Sequence, residues 1–238
     1  MKQLFISDLH LKEIHHPVTK AFFAFIEQKA PEADELYILG DFFEYWIGDD
    51  AGNELSQKVA NKLAELRSSH NTAIFFMVGN RDFLLGKSYC HQAGMTLIEE
   101  PYKLPGSEIV LCHGDAECID DVEYQKVRQM LRNPQWQQAF LGKSIQERIA
   151  FAEQARAQSQ KHQEGDEYSD LDDNAVRTLL EQHHAKLLIH GHTHKPGIRD
   201  VRGTGYKRLT LSDWDHEIWY AQIENHETPK LRQFTYVA

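Results

Sequence analysis

The chain has no apolar run approaching the roughly 18 to 20 residues that a membrane span requires; its richest local stretch, Phe22, Phe23, Phe25 and Ile26, is far too short. Cysteine is scarce. Cys90, Cys112 and Cys118 are odd in number and scattered, which fits neither a disulfide framework nor a CxxC metal site, so free thiols are expected. Basic residues are outnumbered, 26 Lys and Arg against 36 Asp and Glu, for a net charge of −10. No Lys/Arg cluster of the kind that grips a nucleic-acid backbone is evident, and nucleic acid is not an expected partner. An anionic substrate stays open, because acidic groups that bind divalent cations are neutralised by them. The pattern of a signal peptide is missing too: Met1-Lys2 pass directly into a strand-like Leu4-Phe5-Ile6, which gives the expectation of a cytoplasmic chain. There is no internal repeat and no low-complexity tract.

What remains is ordinary for a globular protein, 41% hydrophobic and 26% charged over 238 residues, enough for one domain, or one domain with a sizeable insertion. Short β-rich runs alternate with helical patterns: strands at 4–6, 36–39 and 74–78, helices at 19–29 and 55–66. That alternation predicts an α/β arrangement in which strands end at polar loops, the usual place for a site. From about 119 to 184 the composition shifts to Gln, Ala, Arg and Glu, with breaks at Asn133-Pro134 and Gly165, and reads as a helical insertion or lid. Strands are expected again at 206–211, 217–223 and 231–236.

The chemically loaded residues follow strands. Asp8-Leu9-His10 comes after Phe5-Ile6 and can direct a carboxylate and an imidazole at one metal; alone, such a pair is usually a turn. Gly40-Asp41 adds a tight turn and a carboxylate able to bridge two cations. Gly79-Asn80-Arg81-Asp82 supplies a carbonyl oxygen ligand followed by a guanidinium suited to phosphate oxygens, or else an ordinary Asn turn. His113-Gly114-Asp115 and His190-Gly191-His192-Thr193-His194 complete the set. Each signal alone is weak, but five at five strand ends are not, since chance would also scatter them onto helices and loops. His190, Asp82 and Asp115 are candidates for orienting the ligands; the nine histidines outside these motifs read as surface or capping residues.

In order, D-x-H, G-D, G-N-x-D, H-G-D and G-H-x-H resemble the calcineurin-like metallophosphoesterase family, over most of the chain. The resemblance implies a single domain over 1–238, a β-sandwich flanked by helices with a helical lid at about 119–184, in place of an open sheet. It implies two metals, one on Asp8, His10, Asp41 and His194, the other on Asp41, Asn80, His113 and His192, with Asp41 bridging. Oxygen and nitrogen ligands without thiolate suit Mn²⁺, expected as two ions per chain. Such a pair activates water for in-line attack and neutralises phosphoryl oxygens.

Most of the family carries His where this chain has Arg81. Arginine stabilises charge but cannot serve as a general acid, which favours a leaving group that needs no proton, such as a phosphate leaving from a pyrophosphate. Longer matches, over 40–50, 79–86 and His113-Gly114-Asp115 with Asp120-Asp121 and Tyr124, resemble the family branch that hydrolyses the pyrophosphate of a UDP-linked diacylated sugar in lipid A synthesis, releasing UMP, at the cytoplasmic face of the inner membrane. The alternative within the family is a phosphodiesterase acting on cyclic nucleotides or nucleotide sugars, and outside catalysis a scaffold with this fold. That branch places catalytic groups at Asn80, Arg81, His113 and His192, and substrate contacts at Asn80, Arg81, Asp121, Tyr124, Ser159, Gln163 and His192. The chain departs from it at Gln163, where an Asn is usual, and at Asp166, where a Lys is usual; Lys161 is the nearest replacement. Val127, Met130, Leu131, Trp136, Phe140, Leu141, Ile145 and Ile149 either line an acyl-chain groove or pack the lid onto the core.

Overall fold

Alternation within the first strand sets the layering: Leu4 and Ile6 face one way and Phe5 the other, and all three are fully buried, so this strand has a packed layer on each side. The structure, a computed structural model, describes residues 1–163 and 170–236, with the side chains of 158–163 outside that description. Strands β1 (Lys2–Ile6), β2 (Glu35–Leu39) and β3 (Ala73–Met77) run parallel in a six-stranded sheet. Beyond β3 comes parallel β4 (Met95–Leu97); beyond β1 come antiparallel β10 (Ile218–Glu224) and β11 (Lys230–Phe234). The second sheet is ordered β5 (Tyr102–Lys103), β6 (Ile109–Leu111), β7 (Leu187–His190), β9 (Lys207–Thr210) and β8 (Gly197–Asp200), parallel at its centre and antiparallel at both edges.

The two sheets stack through one apolar layer, Phe5, Tyr37, Leu39 and Met77 from the first against Ile109, Leu111, Ile189 and Leu209 from the second. On the outer face of the first sheet, Leu4, Ile6, Leu36, Ile38 and Phe76 pack under α1 (Pro17–Gln28) and α2 (Glu54–His70). On the outer face of the second, Val110, Cys112 and Leu188 pack under α7 (Asp173–Gln182) through Val176, Leu179 and Leu180. This is the helix-flanked sandwich that the motif resemblance implies, and the open sheet suggested by alternation alone is wrong. Alternation within each strand cannot distinguish the two, because in both arrangements the parallel strands are buried on two faces. The edge strands β5 and β8 escaped the sequence reading because they are short and carry polar residues. All three cysteines are buried, and none is in a disulfide.

Among the described residues, four helices lie between β6 and β7: α4 (Val122–Leu131), α5 (Pro134–Leu141), α6 (Ile145–Gln163) and α7. Of these, α7 covers the outer face of the second sheet. The first three sit over the loops that follow β2, β3 and β6; arginines anchor α4 and α6 there, and Phe140 and Trp136 pack α5 on the core. Arg128 reaches Asp115 at 2.8 Å and Glu100 at 3.3 Å, and Arg132 donates to Gly79 O at 3.0 Å. Arg148, itself buried, donates to Ile47 O at 2.6 Å and Asp50 Oδ1 at 2.7 Å. Arg128, Arg132 and Arg148 are therefore turned inward. Among the described residues no helix is long and apolar enough to cross a membrane.

Candidate active site

Parallel strands deliver their carboxyl ends to one side of the sandwich, and the candidate ligands come from the turns there: Asp8 and His10 after β1, Asp41 after β2, Asn80 after β3, His113 after β6, His192 and His194 after β7. Five of them, Asp8, His10, Asp41, His192 and His194, have φ between 49° and 66°, in the left-handed region that ordinary residues avoid. Each such residue costs roughly 1 to 3 kcal/mol, and strain of this kind persists where a site over-determines it. Glycines make the turns close. A Cβ on Gly79 would fall 2.2 Å from Asp41 Oδ1, and one on Gly40, at φ +85°, would fall 2.6 Å from His113 Nδ1.

The structure brings all seven candidates into one cluster. Donor atoms of Asp8, His10 and His194 lie within 4.8 Å of one another, as do those of Asp8, Asp41 and His113. Asp41 stands between, with Oδ1 3.6 Å from His113 Nε2 and Oδ2 3.9 Å from His10 Nε2. Asn80 Oδ1 meets His113 Nε2 at 2.9 Å and His192 Nδ1 at 3.0 Å. These residues fit a pair of divalent cations. Both ring nitrogens of His10 are buried without a hydrogen-bond partner, and Asp8, Asp41, Asp82 and Asp115 bring four carboxylates, each no more than 2% exposed, to one place. Buried carboxylates converging beside an imidazole with both ring nitrogens unpartnered are expensive unless a cation joins them.

The local electrostatics run the same way. Burial favours a neutral Asp8, but His194, then His113 and His10, outweigh it and hold the carboxyl below the usual carboxylate range. Burial likewise disfavours a charged His194, yet Asp8 and Asp213 hold it well above the ordinary histidine value. His192 is pushed down to about 4, first by burial and then by His113. Burial and then Asp41 raise Asp82, which accepts from Gly79 N and Phe42 N, both at 2.7 Å, and so ties two ligand-bearing turns together.

Several supporting groups were not read from sequence. His113 Nδ1 lies 2.9 Å from Leu39 O, an arrangement that points Nε2 at Asn80 and Asp41. His194 Nδ1 lies 3.1 Å from Asp213 Oδ2, and Ser7 donates to Asp8 at 2.5 Å. The signal for Asp213 was available, since it too follows a strand end, β9. Of the expected orienting groups, His190 has its ring nitrogens 2.9 Å from Gly191 O and from Thr210 Oγ1, holding the turn rather than a ligand. Asp115 accepts from Tyr124 and Arg128 and touches neither His113 nor Asn80 through a hydrogen bond among the described residues.

Among the expected substrate contacts, Arg81 is half-buried, its amide donating to Asp41 Oδ1 at 2.8 Å. Tyr124 places its ring 6.0 Å from that of His192 and its hydroxyl on Asp115. Asp121 is exposed and caps α4 by accepting from Tyr124 N at 2.9 Å. Ser159, Lys161 and Gln163 lie on α6 with side chains outside the described residues, and Asp166 lies outside them altogether.

Behind His113, Glu100, Asp115 and Glu117 crowd together. Burial, then Glu100 and Asp115, push Glu117 from its ordinary 4.5 up to about 7. The folded state thus keeps this proton where the unfolded chain has lost it. The stability this contributes is complete below about pH 4.5 and is lost as pH rises towards 7. In Glu117→Gln we expect the decline of Tm over that window to flatten and Tm at pH 8 to rise by about 2 to 4 °C; an unchanged slope in calorimetry would refute the assignment.

With this geometry in place, the chain can be classified. Residues 1–196 match the family of calcineurin-like phosphoesterases, and the chain belongs to that family. It is a metal-dependent hydrolase with a dinuclear site. At a finer level it is similar to curated proteins that carry the name UDP-2,3-diacylglucosamine hydrolase. The one from Marinobacter nauticus is 42% identical over 98% of this chain and 97% of its own length. Those from Tolumonas auensis and Cellvibrio japonicus are 41% and 44% identical, over 98% and 92% of this chain and 97% and 93% of their own lengths.

Proposed function

We infer that this chain hydrolyses UDP-2,3-diacylglucosamine, water attacking the α-phosphorus to release UMP and 2,3-diacylglucosamine 1-phosphate in lipid A biosynthesis. What carries the reading is near-full-length similarity at about 40% identity to proteins of that name, combined with the intact cluster of seven ligand candidates. We assign two Mn²⁺ to Asp8, His10, Asp41 and His194 and to Asp41, Asn80, His113 and His192; the absence of thiolate from the set supports that metal. Bound cations supply the activated water and neutralise phosphoryl charge.

The protein's own groups do the rest. Asn80 and His192 orient the α-phosphate, and the Arg81 guanidinium stabilises charge on the phosphoryl oxygens without giving up a proton. His113, fixed by Leu39 O, keeps Nε2 turned to the centre. Asp121, Tyr124, Ser159 and Gln163 are assigned to the nucleotide and sugar from the insertion that spans about 119–184. Acyl chains lie along its apolar surface. Val122, Val127, Met130, Leu141 and Ile145 are all at least 40% exposed, whereas Phe140 is buried and Trp136 and Ile149 pack on the core. The same exposed residues support a peripheral position on the cytoplasmic face of the inner membrane.

The test is to incubate the purified protein and Mn²⁺ with the diacylated UDP sugar and with its counterpart lacking acyl chains. UMP release from the first at least tenfold faster is expected; equal turnover, or free phosphate instead of UMP, would overturn the lipid-substrate reading and leave the metal centre standing.

A further inference from the structure

Three distant segments meet at one buried carboxylate outside the ligand set. Glu44 lies in the loop after β2, three residues beyond Asp41, and is 7% exposed. Its Oε1 is 3.5 Å from Arg81 Nη1 and 2.9 Å from Arg156 Nη2 on α6. The backbone of the loop is pinned on both sides, Glu44 N donating to Leu11 O at 3.1 Å and Trp46 N to Arg81 O at 3.1 Å. Glu44 therefore has little freedom to follow either arginine, and the arginines settle on it.

Arg81 needs such a partner. A guanidinium beside two divalent cations is repelled by them, and its side chain, 21% exposed, has solvent to swing into. A carboxylate at its back holds it over the phosphoryl position at the cost of one buried charge, which the second arginine helps to balance. That second arginine belongs to α6, which Arg148 docks onto the same loop through Ile47 O and Asp50.

We propose that Glu44 is a positioning residue that holds Arg81 over the metal centre and, through Arg156, keeps α6 in register with it. The inference rests on the reading that Arg81 contacts the substrate phosphate. Glu44→Gln removes the charge and keeps the shape. The protein should retain both metals, while kcat falls about tenfold to a hundredfold as Arg81 loses its place and KM rises about as far as it does in Arg156→Ala. In an Arg81→Ala background Glu44→Gln should change kcat less than twofold, because the group it positions is gone. Arg156→Ala should raise KM more than it lowers kcat.

If Arg81→Ala turns over normally, the role of Arg81 fails and this inference with it. If Arg81→Ala is slow but Glu44→Gln is not, or if Glu44→Gln slows the Arg81→Ala enzyme just as much as the wild type, the positioning role of Glu44 alone is overturned.

Discussion

Asp41→Asn should abolish most of the activity while leaving the fold in place. The substitution keeps volume and an acceptor for the Arg81 amide, which bonds Asp41 Oδ1 at 2.8 Å. It removes the carboxylate assigned to bridge the two metals, which lies 3.6 Å from His113 and 3.9 Å from His10. A neutral amide cannot bridge two dications, so at least one is expected to be lost. Charge stabilisation by a bound metal is worth several kcal/mol in the transition state, so kcat/KM should fall by about a thousandfold or more. Metal content per chain, read by elemental analysis after gel filtration, should drop from two to one or fewer. A variant that keeps two metals and more than about a tenth of the activity would remove the bridging assignment.

Gly191→Ala should be nearly as damaging through geometry alone. A Cβ there would sit 1.9 Å from Ser7 Oγ and 2.2 Å from Asp8 Oδ2, both groups buried where the turn after β7 crosses the end of β1. Relief requires the two turns to part by more than an ångström. That parting breaks the bonds from His192 N to the Asp8 carboxylate, at 3.0 and 3.1 Å, and carries His194 away from Asp8, now 3.3 Å distant. Overpacking of this kind costs about 1 to 3 kcal/mol, and a displacement near 1 Å at reacting groups costs about a hundredfold in rate. We therefore expect Tm to fall by several degrees, metal affinity to weaken and kcat/KM to drop by about that factor. Gly205→Ala is the control, because nothing lies within 4 Å of its Cβ. Wild-type Tm and metal content in Gly191→Ala would contradict the close crossing.

The difference between these two substitutions marks how far the sequence could be read. Asp41 announces itself: a carboxylate directly after a glycine and a run of Tyr37-Ile38-Leu39 is visible in one dimension, because strand ends and tight turns are local features. So are the other ligand candidates, and so were most of the long strands and helices, since each is set by its own periodicity. Gly191 is also visible, yet what its missing Cβ avoids, Ser7 and Asp8, lies more than 180 residues away. The same limit hid Leu39 O, 74 residues away, behind His113.

The insertion shows the limit most clearly. Its helices were legible from composition, but nothing in the composition told which way its arginines point. In the structure Arg128, Arg132, Arg148 and Arg156 turn inward to Asp115, Gly79, Asp50 and Glu44, and Val122, Val127 and Met130 are exposed beside Glu123 and Lys126. Charge along a chain does not tell which way a side chain points; that depends on the carboxylates and carbonyls that distant strands place beneath the helix. The chemistry is legible in one dimension, because a metal centre demands particular donor atoms at strand ends and few other residue types supply them. How those donors are aimed and braced is not, because aim and bracing are set by contacts between segments far apart along the chain.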